Sequence, residues 1–200
     1  VSAFIKTETD TNSVKLGKYN GSDFAGWMIG INIEGYAYFS GRSGGGADDY
    51  HSVVSTIIIN DDQWHYVVGK RENSDWSIIV DGYSNTETIG NYGNGSFSNT
   101  NPLTFGKNYE GNDWHYNGLL DNVTIWNRAL SDQEIIENAY NENDSIENDE
   151  SLVGYWSFDD GPGYGLIDHS GYGNDGDIIG AAWTNDVPIA GCSDESASNH

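Results

Sequence analysis

Apolar and polar residues alternate along most of this chain, and that alternation constrains the fold more than any other feature. Stretches such as VSAFIKT (1–7), YAYFS (36–40) and WSIIVDG (76–82) change character at nearly every second position. A period of two sends successive side chains to opposite sides of a strand, so each segment has one face to bury and one to leave wet. Strands are expected at 1–6, 13–19, 26–33, 35–40, 52–59, 64–71, 76–81, 102–106 and 118–127. Glu34-Gly35 and Asp81-Gly82 separate two of these runs and supply residues at ease at positive φ, where tight hairpins turn. Evenly spaced short strands joined by such turns predict an all-β protein, a two-sheet antiparallel jelly-roll sandwich. Trp64, Val67, Ile79, Leu103, Phe105, Val123 and Ile125 should point inward, and Trp27, Trp126, Trp156 and Trp183 also fall on core positions.

One segment has a different period. SDQEIIENAY (131–140) reads as one short helix. Ser131 or Asp132 can cap it, Glu134 lies three residues after Ser131 as a capping box requires, and Ile135, Ile136 and Ala139 form a stripe. The Asn- and Gly-rich stretch 84–101 is expected to be a long polar loop.

Charge narrows the possible partners. Eight Lys and Arg face 31 Asp and Glu in 200 residues, a formal net charge of −23. Such a surface repels phosphate backbones and anionic headgroups, which excludes nucleic acid, and no apolar run reaches the roughly 18 residues of a membrane span. Cations, neutral sugars and basic proteins remain. Residues 141–200 hold 13 of the acids and no Lys or Arg. NENDSIENDES (141–151) therefore reads as an acidic linker after a domain at 1–140. The single cysteine, Cys192, allows neither an internal disulfide framework nor a multi-cysteine zinc cage. VSAFIKT begins as a strand, with neither a charged leader nor an apolar signal core, so the start is expected to be a cut within a longer protein.

Several motifs resemble a known family. GLLDNVTIWNRALSDQEII (118–136) is similar to the final strand and following helix of laminin-G-like jelly-roll domains, a pentraxin-related branch of the concanavalin A-like lectin and glucanase superfamily. DDQWHYVVGKRENSDWSIIVDG (61–82) resembles that family's hairpin, PLTFGKN (102–108) the strand before its last loop, and VSAFIKT an early inner strand. LVGYWSFDDGPGYGLIDHSGYGNDGDIIGAAWTND (152–186) looks like the family's opening segment, found here at the far end of the chain. In that family the opening strand runs beside the last one. Residues 152–159 are accordingly expected either to dock on the 1–140 sandwich or to start a second copy. Residues 187–200 read as a linker, in which AGCSDESASNH (190–200) resembles the start of a cysteine-containing repeat of secreted bacterial proteins; neighbouring domains would then lie beyond both ends.

The resemblance also frames the chemistry. Hydrolases of the superfamily use a pair of carboxylates on one inner strand. The nearest arithmetic match, Glu147-Asn148-Asp149-Glu150, lies in the acidic linker, and no nucleophile elbow, zinc-binding helix motif or phosphate loop occurs, so no catalytic residue is expected. The histidines at 51, 65, 115, 169 and 200 are widely spaced, and His65 reads as a satisfied strand residue. The loop NYEGNDWHYNG (108–118) offers Tyr109, Trp114, His115 and Tyr116 for stacking on a sugar or meeting a protein. Pentraxins bind ligands through calcium at this loop position, but Lys107 and Asn108 stand here in place of acids. Around Arg42 and within 84–101 lie the fallback positions. A structural calcium ion is implied by the resemblance at Asp121 of the last strand with Asp159 and Asp168 of the opening segment. Together these readings anticipate a noncatalytic module of an extracellular or cell-surface protein that binds a glycan or an extracellular protein. A structural spacer or adhesion repeat, and a glucanase-like hydrolase, are the alternatives.

Overall fold

The computed structural model describes residues 1–9, 12–20, 25–43, 49–90, 95–107, 115–140, 149–163 and 165–188. Thirteen strands and one helix appear in the order β1 (Ser2–Lys6), β2 (Ser13–Asn20), β3 (Ala25–Ile31), β4 (Tyr36–Ser43), β5 (Tyr50–Ile58), β6 (Trp64–Glu72), β7 (Asp75–Val80), β8 (Tyr83–Thr88), β9 (Thr104–Phe105), β10 (Leu119–Trp126), α1 (Asp132–Tyr140), β11 (Leu152–Trp156), β12 (Gly165–Leu166) and β13 (Gly176–Asp177) among the described residues. Two large antiparallel sheets form the jelly-roll sandwich. One runs β5-β4-β3-β2-β9, the other β11-β10-β1-β6-β7-β8, and β12 pairs with β13. The chain divides into two compact units, Ile5–Leu120 and Val1–Phe4 with Asp121–His200.

Within Ile5–Leu120 the core forms around Trp76, which is fully buried. Phe39 approaches it from β4 with ring centroids 5.6 Å apart, Phe97 lies 5.1 Å away edge-on, and His51 of β5 lies 6.0 Å away. Gly69 of β6 is what admits Phe39, since a Cβ there would fall 2.5 Å from the Phe39 ring. Arg71 covers the outer side of Phe97, its Cζ 3.9 Å from the ring centroid, and donates a 2.6 Å hydrogen bond to the Gly95 carbonyl. Trp76 was not among the tryptophans assigned to the core from sequence, yet it is the largest side chain buried here. Of the expected inward residues, Val67, Ile79 and Val123 are buried, whereas Trp64, Leu103, Phe105 and Ile125 are only half-buried.

The expected polar loop at 84–101 is corrected by the structure. Its first part is β8, paired residue for residue with β7 from Asp75↔Thr88 to Val80↔Tyr83. Asp81 (φ 50°) and Gly82 (φ 84°) form the two-residue turn that sends the chain back. Most residues of β8 are exposed, so the strand carries no apolar alternation to read. Pairing and turn geometry make it, not burial.

In the other unit, β11 runs antiparallel to β10 from Val123↔Trp156 to Trp126↔Leu152. Leu152 and Tyr155 are buried, with Trp126 packed against them. Helix α1 begins as expected. The Ser131 N–H donates to Glu134 Oε2 at 2.7 Å, and the Glu134 N–H donates back to Ser131 Oγ at 3.3 Å, a reciprocal cap. Ile135 is buried, but Ile136 is 46% exposed and lies off the expected stripe, because one residue step turns a helix by about 100°. Arg128 donates to Glu134, Asp149 and Ser151, tying the helix start to the entry of β11. Asp149 is thus ion-paired and half-buried, while Glu147 lies outside the described residues.

Candidate functional site

Of the aromatic loop residues, Tyr109 and Trp114 lie outside the described residues, as does Cys192. His115 is exposed. Tyr116 is a latch. Its hydroxyl lies 2.6 Å from the Lys6 carbonyl and 2.8 Å from the Leu119 carbonyl, and its N–H donates to the Gly106 carbonyl at 2.8 Å. Burial pushes its pKa up, so the phenol stays a neutral donor. Beside it, Thr7 and Thr9 both donate to the Asn117 carbonyl. Gly118 takes φ 156°, and a Cβ there would fall 2.4 Å from the Lys6 carbonyl oxygen. These bonds fix the exit of the loop onto β10 and leave the Tyr116 hydroxyl engaged.

The three carboxylates singled out for calcium have different surroundings. Asp121 on β10 is 7% exposed, and its pKa is pushed up to about 6, first by burial and further by the charge of Asp159, against a lowering bond from the Asn122 N–H. Asp168 is equally buried but well satisfied. Its Oδ1 accepts from the N–H groups of Tyr155 and Ser170, and its Oδ2 from the N–H and side-chain amide of Asn174, all between 2.8 and 3.0 Å. Burial alone would raise its pKa, but these donors hold it below the ordinary value. Tyr155 O in turn accepts from the His169 N–H, and Val153 O from the Asn174 amide. The loop at 168–174 therefore closes the side of β11 that faces away from β10, doing with side chains what a further strand would do. Asp160 accepts from the Ile167 N–H and from His169 Nε2 at 2.9 Å.

Tested against a calcium ion, Asp121 and Asp159 suit a cation, because their mutual repulsion is relieved by positive charge. Asp168 already has its oxygens occupied by N–H donors. Among the described residues no group of three or more His, Cys, Asp or Glu converges to hold a metal.

A different surface lies on the five-stranded sheet. Register sets its outward side chains in rows across the strands. Tyr19, Gly26, Arg42 and Tyr50 face one another in one row, Gly17, Met28, Ser40 and Ser52 in the next, and Gly30, Tyr38 and Val54 in a third; Met28 and Ser40 are buried, while Tyr50 and Val54 are exposed. Alternate positions such as Phe39 and His51 point the other way, towards Trp76. With glycine between them, Tyr19 and Tyr50 reach across β3 and β4 until their ring centroids are 6.1 Å apart. Arg42 Cζ lies 5.9 Å from the Tyr50 ring centroid, and the Tyr50 hydroxyl donates to Ser40 Oγ at 3.0 Å. Tyr38 lies over Gly30, where a Cβ would fall 2.3 Å from its Cζ, and burial raises its pKa. None of these positions is acidic, in a chain with 31 Asp and Glu. Sequence reading named Arg42 only as a fallback. The alternation of Tyr, Ser and Gly within β4 and β5 was legible, but the rows depend on cross-strand register.

His65 forms a third cluster. Its Nδ1 lies 2.6 Å from Asp81 Oδ2 and its Nε2 3.0 Å from Asp61 Oδ1, while the Tyr66 N–H donates to Asp81 Oδ1 at 2.9 Å. Burial favours the neutral imidazole, but bonds to the two carboxylates and their charges outweigh it and raise the His65 pKa. As expected, this is a strand histidine satisfied by its neighbours.

Comparison with known proteins places this geometry. A family model of laminin G domains, described as the concanavalin A-like lectin/glucanases superfamily, matches residues 1–136. A candidate carbohydrate binding protein from Bacteroides ovatus shares the fold with a TM-score of 0.64 at 16% identity, over 87% of this chain and 50% of its own. Domains LG4-5 of the mouse laminin alpha1 chain give a TM-score of 0.53 at 15% identity, over 66% of this chain and 36% of theirs. This chain thus spans about half the length of the first structure and about a third of the second. No curated protein matches it in sequence. No helix among the described residues is long and apolar enough to cross a membrane.

Proposed function

Because the chain belongs to the laminin G branch of the concanavalin A-like lectin/glucanases superfamily, we propose that it is a noncatalytic binding module of an extracellular or cell-surface protein, taking a glycan or an extracellular protein on the outward face of its five-stranded sheet. The observation that carries this reading is the acid-free row of Tyr19, Arg42 and Tyr50 in a chain of net charge −23. A row without carboxylates among the described residues and furnished with aromatic rings suits partners that stack and accept hydrogen bonds. The likeness in fold to a candidate carbohydrate binding protein supports the same reading. Glycan-array binding by wild type and by Tyr50→Ala tests it. Loss of signal in the variant is expected, and equal signal moves the site elsewhere, first to His115 and its neighbours. Turnover of β-glucans by the purified chain would overturn the noncatalytic reading in favour of a hydrolase. A chain that binds neither glycan nor protein would favour a structural spacer.

A second reading concerns calcium, and the buried Asp121 beside Asp159 favours it. An ion held there by these two side chains would supply positive charge to a repelling pair, with Asp168 holding the neighbouring loop. Extracellular sites of this kind bind at about 10⁻⁴–10⁻³ M, so at a hundredfold excess the stabilisation would be about 2.7 kcal/mol. Thermal melts with calcium and with chelator measure it. Identical melts for wild type would remove the ion from the account.

A further inference from the structure

The ribbon of β12 and β13 presents a second surface, independent of the sheet face. Burial alternates along both of its strands. Leu166 and Asp168 are buried and Gly176 and Ile178 half-buried, while Gly165, Ile167, Asp175, Asp177 and Ile179 are exposed. Register sets Gly165 opposite Asp177 and Leu166 opposite Gly176, so the exposed set shares one face of the ribbon. The strands are antiparallel, which puts the Gly165–Asp177 row between Ile167 on one side and Ile179 on the other. Ile179 is 90% exposed and Ile167 48%. A Cβ at Gly165 would meet nothing within 4 Å, so the middle of the face is a low saddle between two aliphatic side chains. The backbone beneath is held in place. The Ile167 N–H donates to Asp160 Oδ2 at 3.1 Å and the Asp168 N–H to Asp175 Oδ1 at 2.9 Å. Trp183 Nε1 donates to the Gly163 carbonyl at 2.9 Å, with its ring against Gly161. Little backbone freedom is therefore lost when the face is covered.

We propose that this face docks a basic segment of another protein, whose aliphatic side chains seat on Ile167 and Ile179 while a Lys or Arg meets Asp177. Charge selects that occupant. Residues 141–200 carry 13 Asp and Glu and no Lys or Arg. An acidic protein, an anionic membrane or a second copy of this chain, at −23, meets repulsion there. A neutral sugar finds no aromatic ring on the face among the described residues. A free cation would leave Ile179 in water. A basic segment with apolar side chains satisfies both the carboxylate and the isoleucines.

Fluorescence anisotropy of labelled peptides titrated with the full chain tests the site. The probes are short peptides alternating Lys with Leu, Lys with Ser, and Glu with Leu, at about 0.05 M and about 0.5 M salt. The Lys-Leu peptide is expected to bind roughly fivefold or more tightly than the Lys-Ser peptide, and the Glu-Leu peptide not to bind. Ile179→Ser should weaken the Lys-Leu peptide roughly five- to tenfold and leave the Lys-Ser peptide unchanged. That side chain lies almost wholly in water, so its loss disturbs no packing. Ile167→Ser should act in the same sense. Asp177→Asn should weaken both lysine peptides roughly two- to fivefold at the lower salt and have no effect at the higher. Equal binding of the Lys-Leu and Lys-Ser peptides would show attraction to net charge alone and overturn the face as a site. Lys-Leu binding unchanged in both isoleucine variants, or no binding of any peptide, would overturn it too. Glu-Leu binding as tight as Lys-Leu would keep the apolar seat and overturn the basic partner. A wild-type dimer in sedimentation at the higher salt, abolished by Ile179→Ser, would put a second copy there instead.

Discussion

Replacing Asp81 with asparagine separates the charge of the His65 cluster from the turn that carries it. Asp81 takes φ 50°, a conformation asparagine adopts readily, and Asn-Gly is a preferred pair for this turn. The backbone should therefore be indifferent to the change. What is lost is the negative charge 2.6 Å from His65 Nδ1 and 2.9 Å from the Tyr66 N–H. Hydrogen bonds to charged groups contribute about 1.5–3 kcal/mol and neutral ones about 0.5–1.5, so Asp81→Asn should cost about 1–2 kcal/mol. For a chain of this length that is about 2–8 °C in melting temperature. The cost should depend on pH in a defined sense. The His65 pKa is raised in the folded state, so its charge contributes fully below about pH 6.5, the unfolded value, and the contribution is lost as pH rises through the folded value. The gap between wild type and variant should be widest near pH 6 and narrow by about pH 8.5. Asp61 works in the opposite sense. Burial raises its pKa, but the bonds from His65 and the Gln63 N–H lower it further, so its stabilisation is present above about pH 4 and is lost below. Melts between about pH 5 and 9 thus isolate the histidine, and Asp121, which ionises in that range, is common to both proteins and cancels. A gap that stays constant across the range would show that the histidine acts while neutral, and the reasoning would fail.

Three other changes probe the remaining clusters. Tyr116→Phe removes the hydroxyl between the Lys6 and Leu119 carbonyls and should cost about 1–2 kcal/mol in urea unfolding, with a loss under a few tenths refuting its role as a latch. Asp168→Ala strips the acceptors from the Tyr155, Ser170 and Asn174 N–H groups and should cost about 2–4 kcal/mol; native-state hydrogen exchange should show faster exchange at Tyr155, and unchanged protection there would contradict the edge-closing role. Arg128→Ala breaks an exposed network, so its effect should stay below about 1 kcal/mol and fade in high salt, whereas a larger, salt-insensitive loss would point to packing against Trp126.

Local physics explains what the sequence determined by itself. Alternation located β1 to β7 and β10 to within a few residues, because a strand with one buried face must change character at every second position. Ser131 and Glu134 announced the helix start, because capping acts across a single turn. Asp81-Gly82 announced a turn, because positive φ selects residues. Long-range register was decided only by the tertiary structure. Tyr19 and Tyr50 meet through two intervening strands, and no spacing in the sequence states that Gly26 and Arg42 lie between them. Asp121 and Asp168 each follow two apolar residues, Leu119-Leu120 and Leu166-Ile167, and one ends with its pKa raised while the other is held low. The difference is in which N–H groups the fold brings to each carboxylate. For Asp168 those donors come from β11 and from residues 170–174, which only the folded chain gathers around one side chain.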